Sequence, residues 1–526
     1  MSDAPLPPPP PGSPTPAAGP SRSGRRVALV TAGAVASVAV ITGGVFAARW
    51  YFGSGPQPAE ALPASTIGYL ALDLDPGGKD LLAARDALED FPAWEELDVD
   101  SGGDVREQLF DLAQQDLECD TLDYGDDIDS WLGNRVAVAA VPGDGDDAEP
   151  VPVFVAQVTD ADAADDGLAA LADCPGFGPL GWHVEGEWAI LAETDEIADR
   201  VADDAASEPL SDDPGFEDHV DGVGGSGIVT AYAAAGAGKY IAEAIEQEFA
   251  EDGVPAPPEM TDSLVDSFQG LALSVGFDDE ALRIDAAATA DSTVMGFLSG
   301  LEDAGSVGDL AGDLPDDTAA LFGIGFADGW AGDYLDLMRE SLGSEADIID
   351  GELEALEAQT GLDLVETLEA VLGEAAVLAV GGDLSADELE APDPAALPVG
   401  IKARGDVEEI EEALDRIYEA APPYVAEMAG ADSDDDLVAI GPSGDYRQEL
   451  LDGGDLGGSE KFERVVPDAD DATALLYVDL DAPVVEELFG LLPPEVAANL
   501  EPLDAFAVSS RYEDGMALSS MRLSVD

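Results

Sequence analysis

Apolar and polar residues alternate in FQGLALSVGF, where Leu271, Leu273, Val275 and Phe277 fall on one side of an extended chain. That period of two predicts a strand with its leucine-bearing face buried. The same alternation marks IGYLALDLD after Thr66 and AALFGIGFAD after Thr318, and Asp514-Gly515 is a hairpin-turn signal. Elsewhere the period lengthens to three and four: Val105, Leu109 and Leu112; Tyr240 and Ala244; and Val407, Ile410, Leu414 and Ile417. These stretches predict helices with one apolar face. Runs of strands interrupted by single helices predict an α+β fold with mainly antiparallel sheets.

The patterned segments come twice and in the same order. Leu62-Pro63 to Thr66 matches Leu314-Pro315 to Thr318 at an offset of 252, and Trp131-Leu132-Gly133 matches Val371-Leu372-Gly373 at 240. Phe216-Glu217 meets Phe462-Glu463, Thr230 meets Thr473, and the strand at Phe268 meets the strand at Phe506. Ordered matches at nearly constant spacing predict a duplicated unit, with one acidic lobe over residues 62–292 and a second over 293–526.

One segment breaks both periods. From Val27 to Ala48 run 22 uncharged residues, ~33 Å as a helix and enough for a hydrocarbon core of ~30 Å. Arg22, Arg25 and Arg26 precede it and Arg49 follows, so the positive-inside rule keeps the N-terminus cytoplasmic. Trp50, Tyr51 and Phe52 suit the outer interface. A signal peptide cleaved near Val45-Phe46-Ala47 is the alternative, but its apolar core is usually ~7–15 residues. The expected order is therefore a Pro-rich cytoplasmic tail (1–26), a single-pass transmembrane helix (27–48), a linker (49–61) and an extracytoplasmic region at the cell membrane. The Leu-Pro…Thr opening after an anchor, with the Asp-rich approach to Trp131-Leu132-Gly133, resembles an actinobacterial family of membrane-anchored proteins filed as a domain of unknown function (number 3352). That resemblance implies a topology and no activity, and Val371 in the second unit departs from its Trp131.

Charge narrows the partners. The chain has 20 basic and 114 acidic residues, a net of −94. Such a field repels nucleic acid and favours cations or a basic protein partner. Apolar residues make up 46%, enough for packed cores rather than a disordered acidic chain.

Candidate chemistry is sparse. Cys119 and Cys174 are the only cysteines and would sit in an oxidising compartment, where they form a disulfide or remain two separate buried thiols. His183 and His219 lack the clustering that zinc requires. Asp98 to Asp104 begins like a calcium loop but has Gly102 and Leu109 where ligands belong. Asp123, Asp126, Asp127 and Asp129, and Asp434 to Asp436, read as solvated acidic loops. Gly222-Val-Gly224-Gly-Ser-Gly227 fits G-x-G-x-x-G, yet it precedes a strand instead of following one, so it reads as a loop. No catalytic residue, metal site or cofactor is expected. A tethered, non-catalytic scaffold or binding module is the leading expectation, and a two-lobed carrier of an apolar or cationic ligand the alternative.

Overall fold

The computed structural model describes most of residues 56–525; residues 1–55, most of 75–121 and 252–266, 291–303, 385–393, 423–428 and a few turns lie outside the description. The expected anchor at 27–48, the calcium-like loop, the helix through Val105 and Cys119 therefore fall outside it. Among the described residues no helix is long and apolar enough to cross a membrane.

The fold is α+β, with helices packed on one large antiparallel sheet. Its first eight strands are β1 (Gly68–Asp73), β2 (Leu132–Val141), β3 (Val151–Val158), β4 (Gly181–Glu185), β5 (Trp188–Ala192), β6 (Val229–Ala234), β7 (Phe268–Asp278) and β8 (Ala281–Ala290). The other eight are β9 (Thr318–Gly325), β10 (Ala375–Gly381), β11 (Val399–Arg404), β12 (Gly430–Asp434), β13 (Leu437–Gly441), β14 (Ala474–Asp479), β15 (Leu503–Glu513) and β16 (Met516–Val525). All sixteen belong to one sheet, β12-β13-β11-β10-β9-β14-β15-β16-β8-β7-β6-β1-β2-β3-β5-β4. Read outward from the middle, each side runs in the same order with eight added to the strand number. The two halves share a sheet because β8 and β16 pair antiparallel over eight residues, Ala281 to Ala288 against Ala517 to Ser524. Each would otherwise end its half as a long unpaired edge, the feature most prone to non-specific pairing. The outer edges carry polar and charged side chains instead: Asp432 and Asp434 on β12, and His183 and Glu185 on β4.

Local devices recur at matching places. Thr66 donates its hydroxyl to the Pro63 carbonyl at 2.6 Å, and Thr318 does the same to Pro315 at 2.7 Å. The neighbouring carbonyls of Leu62 and Leu314 accept from Leu210 and Leu456. Helices Ala161–Ala172 and Val407–Ala420 are capped by Asp160 and Asp406; Pro214–Gly222 and Glu460–Val465 are capped by Asp213 and Ser459. Such caps satisfy backbone N–H groups that the first turn leaves unpaired. Phe216 meets Tyr232 edge-on at 5.1 Å, as Phe462 meets Tyr477 at 5.1 Å.

Two of the expected matches slip in register. Tyr232 pairs with Tyr69 on β1 and Tyr477 with Leu321 on β9, so β6 and β14 correspond at an offset of 245 and Thr230 aligns with Leu475, not Thr473. The hairpins close at Asp278–Ala281 and Glu513–Met516, an offset of 235, where matching Phe268 to Phe506 implies 238. A three-residue error exchanges the faces of a strand. The expected face of β7 is buried only in part: Val275 and Phe277 are buried, Leu271 and Leu273 are half-buried, and Ala272 and Ser274 on the other face are fully buried. Helix Pro214–Gly222 lies so close over β7 that small residues are required beneath it; a side chain at Gly270 would sit 2.7 Å from the His219 ring.

The last turns of the expected linker also belong to the fold. Ala59 and Ala61 are buried in the first core with Leu62, Val155, Ile190 and Val201. The second core, on the same face, holds Val377, Ala439, Leu450, Phe462 and Tyr477.

Burial raises the phenols of Tyr69, Tyr446 and Tyr477 above their ordinary value, and burial with the Asp213 charge pushes Tyr232 up to about 12. The folded protein thus holds these protons more tightly than the unfolded chain. Their contribution is complete below the unfolded phenol value of ~10 and is lost as pH rises from there through the folded values. Unfolding above pH ~10 in an alkaline titration should therefore be accompanied by the last part of the phenolate absorbance, that of these four tyrosines. Ionisation of every tyrosine while the fold persists would contradict this.

Candidate functional site at the joint between the halves

At the joint, equal residues meet. With β8 and β16 related by 235, Asp285 corresponds to Ser520, and these two are also Cα partners across the strand pair. A local two-fold relation between the halves therefore passes through them. The row continues to Ser274 on β7 and Ser509 on β15, which correspond in the same way. One step along lies a second row in which Arg283 and Arg522 are direct Cα partners. All six side chains have the parity of Ala287 and Leu518, members of the first core, so they emerge on the core-bearing face, between the two cores.

This patch is chemically unusual for its surroundings. Arg522 is 9% exposed and Ser274 is fully buried. Like charges directly opposite in a strand pair repel, and Arg283 offsets this by an ion pair from Nη1 to Asp285 at 3.0 Å. Three buried polar atoms here have no partner among the described residues: Ser274 Oγ, Arg283 Nε and Ser520 Oγ. An unsatisfied buried polar group costs about 1–3 kcal/mol, so three of them on adjacent strands of the joint are costly.

The glycine-rich segment lies over it. Gly222 ends helix Pro214–Gly222, and Gly224 and Gly225 have φ of 77° and 94°. A side chain at Gly227 would begin 2.5 Å from Ser274 Oγ, and one at Gly224 would begin 3.8 Å from an Arg283 nitrogen. The expectation of a loop before a strand matches this placement, and the glycines of that loop let backbone close onto the polar row. In the second half the corresponding turn is acidic, and Asp468 and Asp471 border a pocket with Ser509, Ser520, Arg511 and Arg522.

The other candidates resolve into structure. Cys174 is buried and disulfide-bonded. His219 donates from Nδ1 to the Gly215 carbonyl at 2.6 Å and its Nε2 lies 2.9 Å from the Thr289 hydroxyl, while His183 sits 2.7 Å from Asp199 at the sheet edge. Asp123 and Asp127 accept from backbone N–H groups of the turn that leads to Trp131, and Asp129 pairs with Arg106. Asp435 turns the β12–β13 hairpin at a φ of 51°. Among the described residues, no group of three or more His, Cys, Asp or Glu side chains is placed to hold a metal ion.

Sequence reasoning missed Arg283, Asp285 and Arg522. The signal was parity: in ALRIDAAATA, Arg283 and Asp285 share a face with Ala281 and Ala287, both fully buried. No family model, curated protein or solved structure matches the chain.

Proposed function

We propose that this is a membrane-tethered, non-catalytic extracytoplasmic binding module of the cell envelope. The 27–48 segment is its anchor, and the joint between duplicated halves is its binding site. The carrying observation is the polar row at the local two-fold, three of whose buried groups lack partners among the described residues. Residues that recur between the halves (Pro, Thr, Leu, Phe, Tyr and capping Asp or Ser) open strands, close turns and fill cores, which supports a copied scaffold over a copied reaction centre. The topology accords with the resemblance to the anchored actinobacterial family. Pairing of Cys174 with Cys119, the chain's one other cysteine, would tie residues outside the described fold to helix Ala161–Ala172.

Protease applied to wall-stripped cells should remove the acidic region and spare the first 26 residues; survival of the large region would refute the topology. Native mass spectrometry of the full chain should show a bound small molecule that depends on Ser274 and Arg283. Reproducible turnover of an ester, peptide, glycoside or phosphoester, abolished by one Asp or Glu substitution in a folded variant, would overturn the non-catalytic reading.

The alternative, a two-lobed carrier of an apolar or cationic ligand, draws for its apolar form on the opposite sheet face. There Phe154, Phe322 and Leu378 are exposed.

A further inference from the structure

We infer that the sheet face opposite the two cores is the docking surface for a second copy of this chain. The strand ladders set three rows of side chains next to one another on that face. The middle row runs through paired positions on ten adjacent strands, from Leu378 on β10 through Phe322, Met521 and Ile284 to Val136 on β2, and every member is apolar. The row on one side includes Leu70 and Leu273, the row on the other Phe506 and Leu523. Across β2 to β10, none of the three rows holds a charged residue among those described. An antiparallel sheet with one face in water alternates apolar with polar side chains, whereas strands apolar on both faces are covered on both. Helices Ala161–Ala172 and Val407–Ala420 cover this face toward the outer edges, over β3 and β5 and over β11 and β13. Between them Phe322 is 51% exposed and Leu378 43%, while Leu476, Val508, Met521 and Ile284 are half-buried.

Size and symmetry favour a second copy as the cover. Ten strands ~4.8 Å apart and three rows ~7 Å apart make a charge-free area on the order of 900 Å². The largest apolar patch of an ordinary monomer is ~300–600 Å², and a stable dimer buries ~800 Å² on each partner. The local two-fold at Asp285 and Ser520 also carries Leu70 onto Phe322 and Leu273 onto Val508, so the apolar pattern stands twice about one axis. A partner that matches it needs the same pattern twice, and this chain has it. Charge points the same way. With a net of −94 the molecule repels anionic headgroups, and it draws a basic partner to its acidic surfaces rather than to a charge-free floor. Two copies also repel, but that repulsion is screened beyond ~8–10 Å at physiological salt, and no charge enters the contact. The surface lies on the other side of the sheet from the polar row of the joint, so its failure leaves the binding module standing.

The test is sedimentation equilibrium of the full chain in density-matched detergent micelles. A reversible dimer is expected, and it should tighten as salt rises and screens the two acidic copies. Phe322→Glu should weaken association about tenfold or more, because the contact would bury an unpaired carboxylate. Leu378→Ala, a truncation at an exposed position, should weaken it in the same direction even if the glutamate variant folds poorly. Ser65→Glu adds the same charge at an exposed turn before β1 and should leave association unchanged. A parent protein that stays monomeric at raised salt overturns the inference. So does a dimer equally tight in Phe322→Glu and Leu378→Ala, which would place the contact in the 27–48 segment or elsewhere. A monomer that carries a lipid or another apolar molecule, lost on Phe322→Glu, would also overturn it and give this face to the carrier reading.

Discussion

Asp313→Ala should destabilise the protein by about 3 kcal/mol, whereas Lys402→Met should cost less than about 1 kcal/mol, and the double variant should resemble Lys402→Met. Lys402 lies on β11 with no exposed surface, opposite Val377 on β10 and Ala439 on β13. Its ammonium donates to the Asp313 carbonyl at 2.7 Å and to its carboxylate at 2.8 Å. Asp313 is half exposed. Removing its carboxylate strands a charge in the core with one backbone partner, while removing the ammonium releases a carboxylate that water can solvate. The first half shows that the charge is dispensable for the architecture. By the ladders of β3 and β11, Lys402 takes the place of Val155, and by the Leu-Pro match Asp313 takes the place of Ala61. Both of those residues are buried and apolar. Denaturant midpoints of the two single variants and the double variant measure the coupling. Equal losses for both single substitutions would show that the pair contributes packing and not a stranded charge.

The elements were legible where one rule acted alone. Alternation located β1, β7 and β9, and the three-four period located helix Val407–Ala420 with Ile410 and Leu414 buried. The Leu-Pro…Thr signature found a real hydrogen-bonded device in both halves. What alternation does not encode is which face a neighbour will cover. On β7 the alternating face is buried at Val275 and Phe277 but only half-buried at Leu271 and Leu273, while helix Pro214–Gly222 covers Gly270 and Ala272 on the other face. Register was lost for a related reason. Matching phenylalanines is persuasive by size, but turns fix register, and Asp279-Glu280 carries no glycine to announce the hairpin that Asp514-Gly515 announces.

The single sheet was not legible at all, since edge pairing of β8 with β16 joins residues some 235 positions apart in the chain. The candidate site shares that difficulty. Ser274, Asp285, Ser520 and Ser509 are unremarkable individually and become a row only when the halves meet. Duplication followed by divergence then explains the asymmetry across the joint, where glycines stand over one side and aspartates over the other.

That divergence supplies a further expected result: Lys461→Ala should lose several kcal/mol in low salt and recover much of it in millimolar calcium, to which the parent protein responds far less. Lys461 reaches Asp479 at 2.7 Å and both Asp481 and Asp504 at 2.8 Å. The other oxygen of Asp504 pairs with Arg464 at 2.9 Å. Burial pulls the Lys461 ammonium down, but its hydrogen bonds to Asp479, Asp481 and Asp504 outweigh that and hold it above the ordinary lysine value. A raised folded value means the stabilisation is complete below the unfolded value of ~10.5 and fades only as pH climbs beyond it, so at neutral pH the ammonium is fully engaged. The first half needs no such cation: by the same offsets between the halves, Gly215 stands for Lys461, and Ala234, Gly236 and Gln269 stand for the three aspartates. Taking away the ammonium alone leaves three carboxylates converging on one point, with Asp504 almost fully buried. Like charges at that spacing repel strongly where water is scarce. Convergent carboxylate oxygens are the ligands calcium selects, and the space left by the lysine stem gives it room. Asp479→Asn added to Lys461→Ala should restore stability without metal and abolish the calcium response. A Lys461→Ala protein as stable as its parent in low salt, or a calcium effect of equal size in both, would show that the three aspartates do not act as one charged cluster.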